Sequence, residues 1–283
     1  MKGTQGILVA AVLAASAQGA QAETPLERGA YLMNSIVACG NCHTPQGPEG
    51  PLPGRELAGG TPFDEVPFTA YASNVTPDRA TGIGEWTDEQ IGTAIREGRR
   101  PDGSLIGPPM PVPFYRAMSD GDLAAITAYL RSVPPVSNEV PPSEYRIPLP
   151  ASYGPPVGGV PDVPRDDRLR YGAYLASIGH CLECHTPMTP EGPDHARAGA
   201  GGMAFNGPWG VSVSANITQD PVTGLGTWTD EEIKTAITRG MRPDGTRLMP
   251  PMGFGYYANM TDDDLDALVA WVRTLAPVRH AVR

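Results

Sequence analysis

Cysteine is scarce in this sequence, four in 283 residues, and aromatic residues make up only 7 %. Runs of basic residues are missing, and a formal net charge of -10 speaks against nucleic acid as a partner. An acidic balance of this size suits either steering toward a basic partner or plain solubility. Long apolar runs are also lacking. One short run lies near the N-terminus: Lys2 precedes the stretch Ile7 to Ala17, and Ala20-Gln21-Ala22 stands before Glu23 as a small-residue cleavage site. This is the pattern of a signal peptide over residues 1–22, too short to span a bilayer. The chain is therefore expected to be exported to the periplasm, with no transmembrane segment in its mature form. Hydrophobic residues at 40 % are lean for a globular core, which a bulky prosthetic group would help to fill.

Four cysteines in an exported chain would ordinarily form two disulfides. Their placement argues otherwise. Cys39-Gly40-Asn41-Cys42-His43-Thr44-Pro45 returns 142 residues later as Cys181-Leu182-Glu183-Cys184-His185-Thr186-Pro187. The same offset pairs Asn74 with Asn216, Trp86 with Trp228, and Pro108-Pro109-Met110 with Pro250-Pro251-Met252. One domain is written twice. The repeat predicts a first domain over residues 23–133, a proline-rich linker over 134–165 and a second domain over 166–283. Each copy shows three helix starts: Thr24, Thr87 and Ser119 in the first, Asp166-Asp167, Thr229 and Thr261 in the second. Between the first two helices of each copy runs a long loop rich in glycine and proline, which needs something to pack against.

Cys-x-x-Cys-His is the attachment motif of c-type haem. Cysteines about one helical turn apart can each form a thioether with a vinyl group of the same porphyrin, and the adjacent histidine reaches the iron. A thioredoxin-like redox pair does not need the histidine. A zinc site built from both pairs would place them about 15–20 residues apart. Two local disulfides leave the repeated histidine unexplained. The expectation is two covalently bound haem c groups, one held by Cys39, Cys42 and His43, the other by Cys181, Cys184 and His185.

For the sixth iron ligand, the first copy has no histidine besides His43, and no cysteine is spare. Methionine remains. Met110 with Met252 and Met118 with Met260 are the repeated candidates. Met118 and Met260 stand just before the cap of the last helix, where packing onto Leu123 or Leu265 is reason enough for them. Met110 and Met252 follow a stiff double proline in a polar loop, where no helix demands an apolar side chain, and are preferred. His195 stays open as an alternative at the second iron. Asn74-Val75-Thr76 and Asn216-Ile217-Thr218 read as Asx-type turns or as donors to a haem propionate.

Both copies carry Asn-[Val/Ile]-Thr-x-Asp-x-x-Thr-Gly-[Ile/Leu]-Gly-x-Trp-Thr-Asp-Glu, followed by Asp-Gly and Pro-Pro-Met. This pattern resembles the cytochrome c subunits of bacterial alcohol, aldehyde and gluconate dehydrogenases. The resemblance implies an all-α fold of two tandem class I cytochrome c domains, each with about three main helices around one haem. It implies His43 and Met110 as metal ligands of one haem iron, and His185 and Met252 of the other. It further implies an electron-transfer protein and not an enzyme. A periplasmic dehydrogenase would be the electron donor, and an oxidase or another cytochrome the acceptor. Members of that family typically carry three haem domains, whereas this chain has two. The alternative is a dihaem redox enzyme such as a peroxidase or a thiosulfate-oxidising cytochrome. Such an enzyme needs two unlike haems, and the copies here match.

Overall fold

The computed structural model describes residues 23–48 and 50–282, so the signal peptide expected over 1–22 lies outside the described residues. The first half runs α1 (Pro25–Met33), α2 (Cys39–His43), β1 (Gln46–Gly47), β2 (Gly50–Pro51), β3 (Pro62–Glu65), β4 (Phe68–Tyr71), α3 (Asp88–Glu97), α4 (Val112–Tyr115) and α5 (Asp120–Ser132). Strand β5 (Glu144–Tyr145) follows. The second half repeats the order as α6 (Arg168–Ile178), α7 (Cys181–His185), β6 (Met188–Thr189), β7 (Gly192–Pro193), β8 (Ala204–Gly207), β9 (Gly210–Val213), α8 (Asp230–Arg239), α9 (Phe254–Tyr257) and α10 (Asp262–Val272).

The helix starts form as side-chain chemistry dictates. Thr24 and Glu27, Thr87 and Gln90, and Thr229 and Glu232 each close a reciprocal capping box. Helices α3 and α8 end on Gly98 (φ 64°) and Gly240 (φ 60°), left-handed caps that cost glycine nothing. Helix α1 stops at Met33, short of Cys39. Asn34 donates its side-chain amide back to the Ala30 carbonyl (2.9 Å), and Ala38 takes a left-handed φ of 49°. The chain thus turns before α2. His180 (φ 43°) makes the same turn before α7.

The all-α expectation is overturned. Among the described residues 33 % are helix and 12 % strand, with four small sheets, and the structure is mixed α/β. Each half also carries two short helices besides its three main ones. The glycine- and proline-rich loops satisfy their backbone groups by folding into antiparallel hairpins, β1–β2 and β3–β4 in the first half, β6–β7 and β8–β9 in the second. Strands of two to four residues are too short to write an alternating pattern into a sequence.

Helix α1 crosses α5 at Gly29, and α6 crosses α10 at Gly172. A Cβ at either glycine would run into the backbone carbonyl of Ala125 or Ala267. This crossing leaves Leu32, Met33 and Ile36 facing Leu175, Ile178 and Leu268 in one apolar cluster that spans both halves. Around it lies a reciprocal polar seam. The Tyr174 hydroxyl donates to Asp122 Oδ2 (2.6 Å) and accepts from the Ser119 N–H (3.2 Å). In the mirror arrangement, the Tyr31 hydroxyl donates to Asp264 Oδ2 (2.6 Å) and accepts from the Thr261 N–H (3.2 Å). Each half's first helix thereby helps to cap the last helix of the other. In the first half Arg28 joins this seam through an ion pair with Asp122 at 2.8 Å.

The segment after α5 wraps the first half. β5 pairs with β4, and Tyr145 and Leu149 press on Gly107 beside the Pro108-Pro109-Met110 loop. The Tyr153 hydroxyl reaches the Ile106 carbonyl (2.8 Å), and Val160 exchanges hydrogen bonds with Asp120 at the start of α5. Among the described residues nothing comparable covers the equivalent face of the second half, where Val211 is 66 % exposed and Met249 45 %.

Candidate haem centres

Cysteines 39 and 42 lie on the single turn of α2, and 181 and 184 on that of α7, so each pair shares one short helix. None of the four is paired in a disulfide. Burial pushes the Cys39, Cys181 and Cys184 thiols up to about 12 and Cys42 to about 11, which keeps them protonated. The next strongest influence on Cys42 is Glu183, which belongs to the other motif.

His43 Nδ1 sits 2.7 Å from the Ser73 carbonyl, and His185 Nδ1 sits 2.7 Å from the Ala215 carbonyl. A carbonyl only accepts, so in both rings Nδ1 carries the hydrogen and Nε2 keeps its lone pair. Burial lowers the proton affinity of both imidazoles, while the carbonyl contact raises it. A neutral histidine with Nδ1–H held by a backbone oxygen is the oriented form in which imidazole ligates a metal.

Met110 is half-buried and packs against the shared apolar cluster; Met252 is half-buried in the matching loop. Both follow a cis proline–proline bond. The first of these loops is braced by arginines. Arg99 bonds the carbonyls of Gly103 and Ala151, and Arg100 that of Leu105. These guanidiniums stand at the loop base, engaged with backbone oxygens. Met118 (0 % exposed) and Met260 (6 %) fill the core, in keeping with the packing role read from their position. His195 lies exposed in a single 3₁₀ turn, His195–Arg197.

Asn74 settles between its two readings. Its carbonyl oxygen accepts from the Thr76 N–H, and its two amide hydrogens go to Thr81 Oγ1 (2.9 Å) and the Val136 carbonyl (2.8 Å). Asn216 does the same with Thr218, Thr223 and Val278. With both hydrogens spent, neither asparagine has a donor left for a propionate. They lock the chain beyond the last helix of each half onto the loop after the histidine.

Sequence reasoning missed the contacts that join the two centres. Asn41, inside the first motif, donates to the Pro251 carbonyl (3.1 Å), next to Met252. The Tyr256 hydroxyl lies where a Cβ on Gly40 would be. On the other side, the Tyr115 ring meets His180, one residue before Cys181, edge to face at 6.1 Å. Burial first, then Cys39, Cys42 and Glu183, raises the Tyr115 phenol; burial, then Cys181, Cys184 and Cys42, raises that of Tyr257. The repeated aromatic pair after each Pro-Pro-Met, Phe114-Tyr115 and Tyr256-Tyr257, was the available signal.

The residues present fit two haem groups: paired protonated thiols on one turn, an adjacent histidine with a free Nε2, and a methionine loop repeated in each half. Together they define a protein with two haem-attachment centres of one design. Comparison with known proteins agrees. Residues 26–134 match the cytochrome c family, and residues 167–272 match the family described as cytochrome c oxidase, cbb3-type, subunit III. The chain is 33 % identical to the cytochrome c subunit of alcohol dehydrogenase (quinone) from Gluconacetobacter polyoxogenes, across 95 % of its own length and 61 % of that protein. It is 31 % identical to the gluconate 2-dehydrogenase cytochrome c subunit of Pantoea cypripedii, across 88 % and 59 %. It is 32 % identical to the fructose dehydrogenase cytochrome subunit of Gluconobacter japonicus, across 88 % and 52 %. The chain thus spans 52–61 % of the length of these relatives. It is a dihaem cytochrome c, made of two cytochrome c domains and carrying two covalently bound haem c groups.

Proposed function

We propose that this chain transfers electrons in the periplasm, taking them from a dehydrogenase and passing them to an oxidase or another cytochrome. In this reading Cys39 and Cys42 tether one haem and Cys181 and Cys184 the other. His43 with Met110, and His185 with Met252, are the iron ligands. Residues 1–22 are the export signal, and the two domains span 23–133 and 166–283 around a linker at 134–165. The observation that carries it is the sameness of the two centres: each histidine is oriented by one carbonyl at 2.7 Å, and each methionine loop has one design. Two like His/Met centres, each with six donors, offer no open position for a substrate, and methionine ligation suits a high potential. Bound haem supplies the one-electron chemistry. The protein residues hold it, orient the imidazole and keep water from the centre. The relatives' names point to an alcohol- or sugar-acid-oxidising partner. Among the described residues no helix is long and apolar enough to cross a membrane.

The test is to isolate the tagged chain with its haems from its native host and add substrates of any dehydrogenase that accompanies it. Both haems are expected to be reduced by that dehydrogenase and its substrate, and the reduced protein is expected to resist carbon monoxide. Peroxide reduction or thiosulfate oxidation by the isolated chain would overturn the assignment.

A further inference from the structure

The contacts between the halves say where the two haems meet, an inference that rests on the haem attachment proposed above. Thioether bonds from the paired cysteines would hold one edge of a bound porphyrin at its motif helix, so whatever packs beside α2 or α7 would lie near that edge. The second half packs on α2 through Asn41 with the Pro251 carbonyl (3.1 Å) and through Tyr256 seated on Gly40. The first half packs on the approach to α7 through Tyr115 on His180, Ile36 on Gly179, and the Ser177 hydroxyl with the Phe114 carbonyl (3.3 Å). Phe114 and Tyr256 are counterparts in the repeat, so the segment after each methionine loop packs on the other half beside its motif, through different contacts on the two sides. Cys39 and Cys181, one from each motif, border the same apolar cluster.

We propose that the two haem-attachment motifs face each other across this contact, and that α2, α4, α9 and the turn before α7 would form the internal electron path between the bound haems. With haem bound, the chemistry supplied there would be transfer of one electron from one centre to the other, with no bond changed and no proton moved. Gly40 and Asn41 are positioning residues. Without a side chain at Gly40 the Tyr256 ring lies against the motif backbone, and Asn41 ties that backbone to the neighbouring methionine loop. Partners outside the molecule then reach the haems from edges other than these.

Circular dichroism in the Soret band tests this, because coupling between two porphyrin transitions falls with the cube of their separation. The fully oxidised holoprotein is expected to show a two-signed couplet. The couplet should be missing from the summed spectra of Cys39→Ala/Cys42→Ala and Cys181→Ala/Cys184→Ala, each of which retains one covalent haem. A wild-type spectrum equal to that sum, or a single-signed band, overturns the proposal. Gly40→Leu gives a check with both haems in place, their content measured by pyridine haemochrome. Loss of couplet amplitude is expected, and an unchanged couplet removes Tyr256 from the path. No electron donor enters the measurement. If a dehydrogenase failed to reduce the haems, the proposed function would fall while this result stood.

Discussion

His43 and His185 each spend Nδ1 on a carbonyl 30 residues away, so imidazole orientation depends on how the following loop is folded. The methionines divide in the same way, by what surrounds them. Met118 is fully buried in the core and Met110 half-buried in a braced loop. Met110→Ala is expected to abolish the methionine–iron charge-transfer band of the first haem and open that iron to carbon monoxide. Met118→Leu should leave the band intact and cost less than about 1.5 kcal/mol in chemical denaturation, as volume-conserving core swaps do. Turn carboxylates set a pH dependence. Hydrogen bonds from Thr81 hold the Asp78 carboxyl below its ordinary value, and those from Thr223 do so for Asp220. A depressed folded-state pKa gives stability that is present above the unfolded value, near 3.9, and is lost as pH falls through the folded value. Melting temperature should therefore drop at a pH below about 4, and less steeply in Asp78→Asn/Asp220→Asn.

Among the elements, the main helices were legible because their start signals are local. Thr24, Thr87 and Thr229 bond groups three residues away, a distance that sequence spacing displays directly. The hairpins were not legible, since β1–β2 and β6–β7 pair only two residues per strand. Nor was the end of α1 at Met33, where the Asn34 side chain donates back to the Ala30 carbonyl. Caps and crossings differ in what they contribute. Thr229→Ala should cost about 1 kcal/mol, the usual value of a lost cap, and leave the fold intact. Gly172→Ala should cost more, about 1–3 kcal/mol or above, because its Cβ has only the Ala267 backbone to displace. Thermal melts of the two variants, followed in the Soret band, compare them directly; equal costs would mean that the α6–α10 crossing yields easily.

At the scale of the whole molecule, the two halves are joined by a buried core and by tyrosines that reach across to cap each other's last helix. Asp122 is the busiest member of that seam, taking Arg28 through two nitrogens and Tyr174 through its hydroxyl. Asp122→Ala leaves a buried guanidinium without its carboxylate and should cost about 3–5 kcal/mol. Tyr31→Phe removes two hydrogen bonds, to Asp264 and from Thr261, and should cost about 1–3 kcal/mol. Chemical denaturation of both, read by tryptophan fluorescence and by the Soret band, checks the ranking. The wrapped segment makes the halves unequal. It adds a third strand to β3–β4 and presses Tyr145 on the first methionine loop, while among the described residues none covers β9 and Met249 in the same way.

By itself the sequence determined the covalent chemistry, the duplication, the helix caps and the division of the methionines into core and loop. All of these are carried by residues a few positions apart or by one fixed offset. Only the tertiary structure decided that the loops fold as hairpins, that the segment after α5 wraps one half, and that each motif region packs against the other half. The contacts responsible, Asn41 with Pro251 and Tyr31 with Asp264, join residues 210 and 233 positions apart. Contacts that distant arise from how whole faces pack, and no local spacing encodes them.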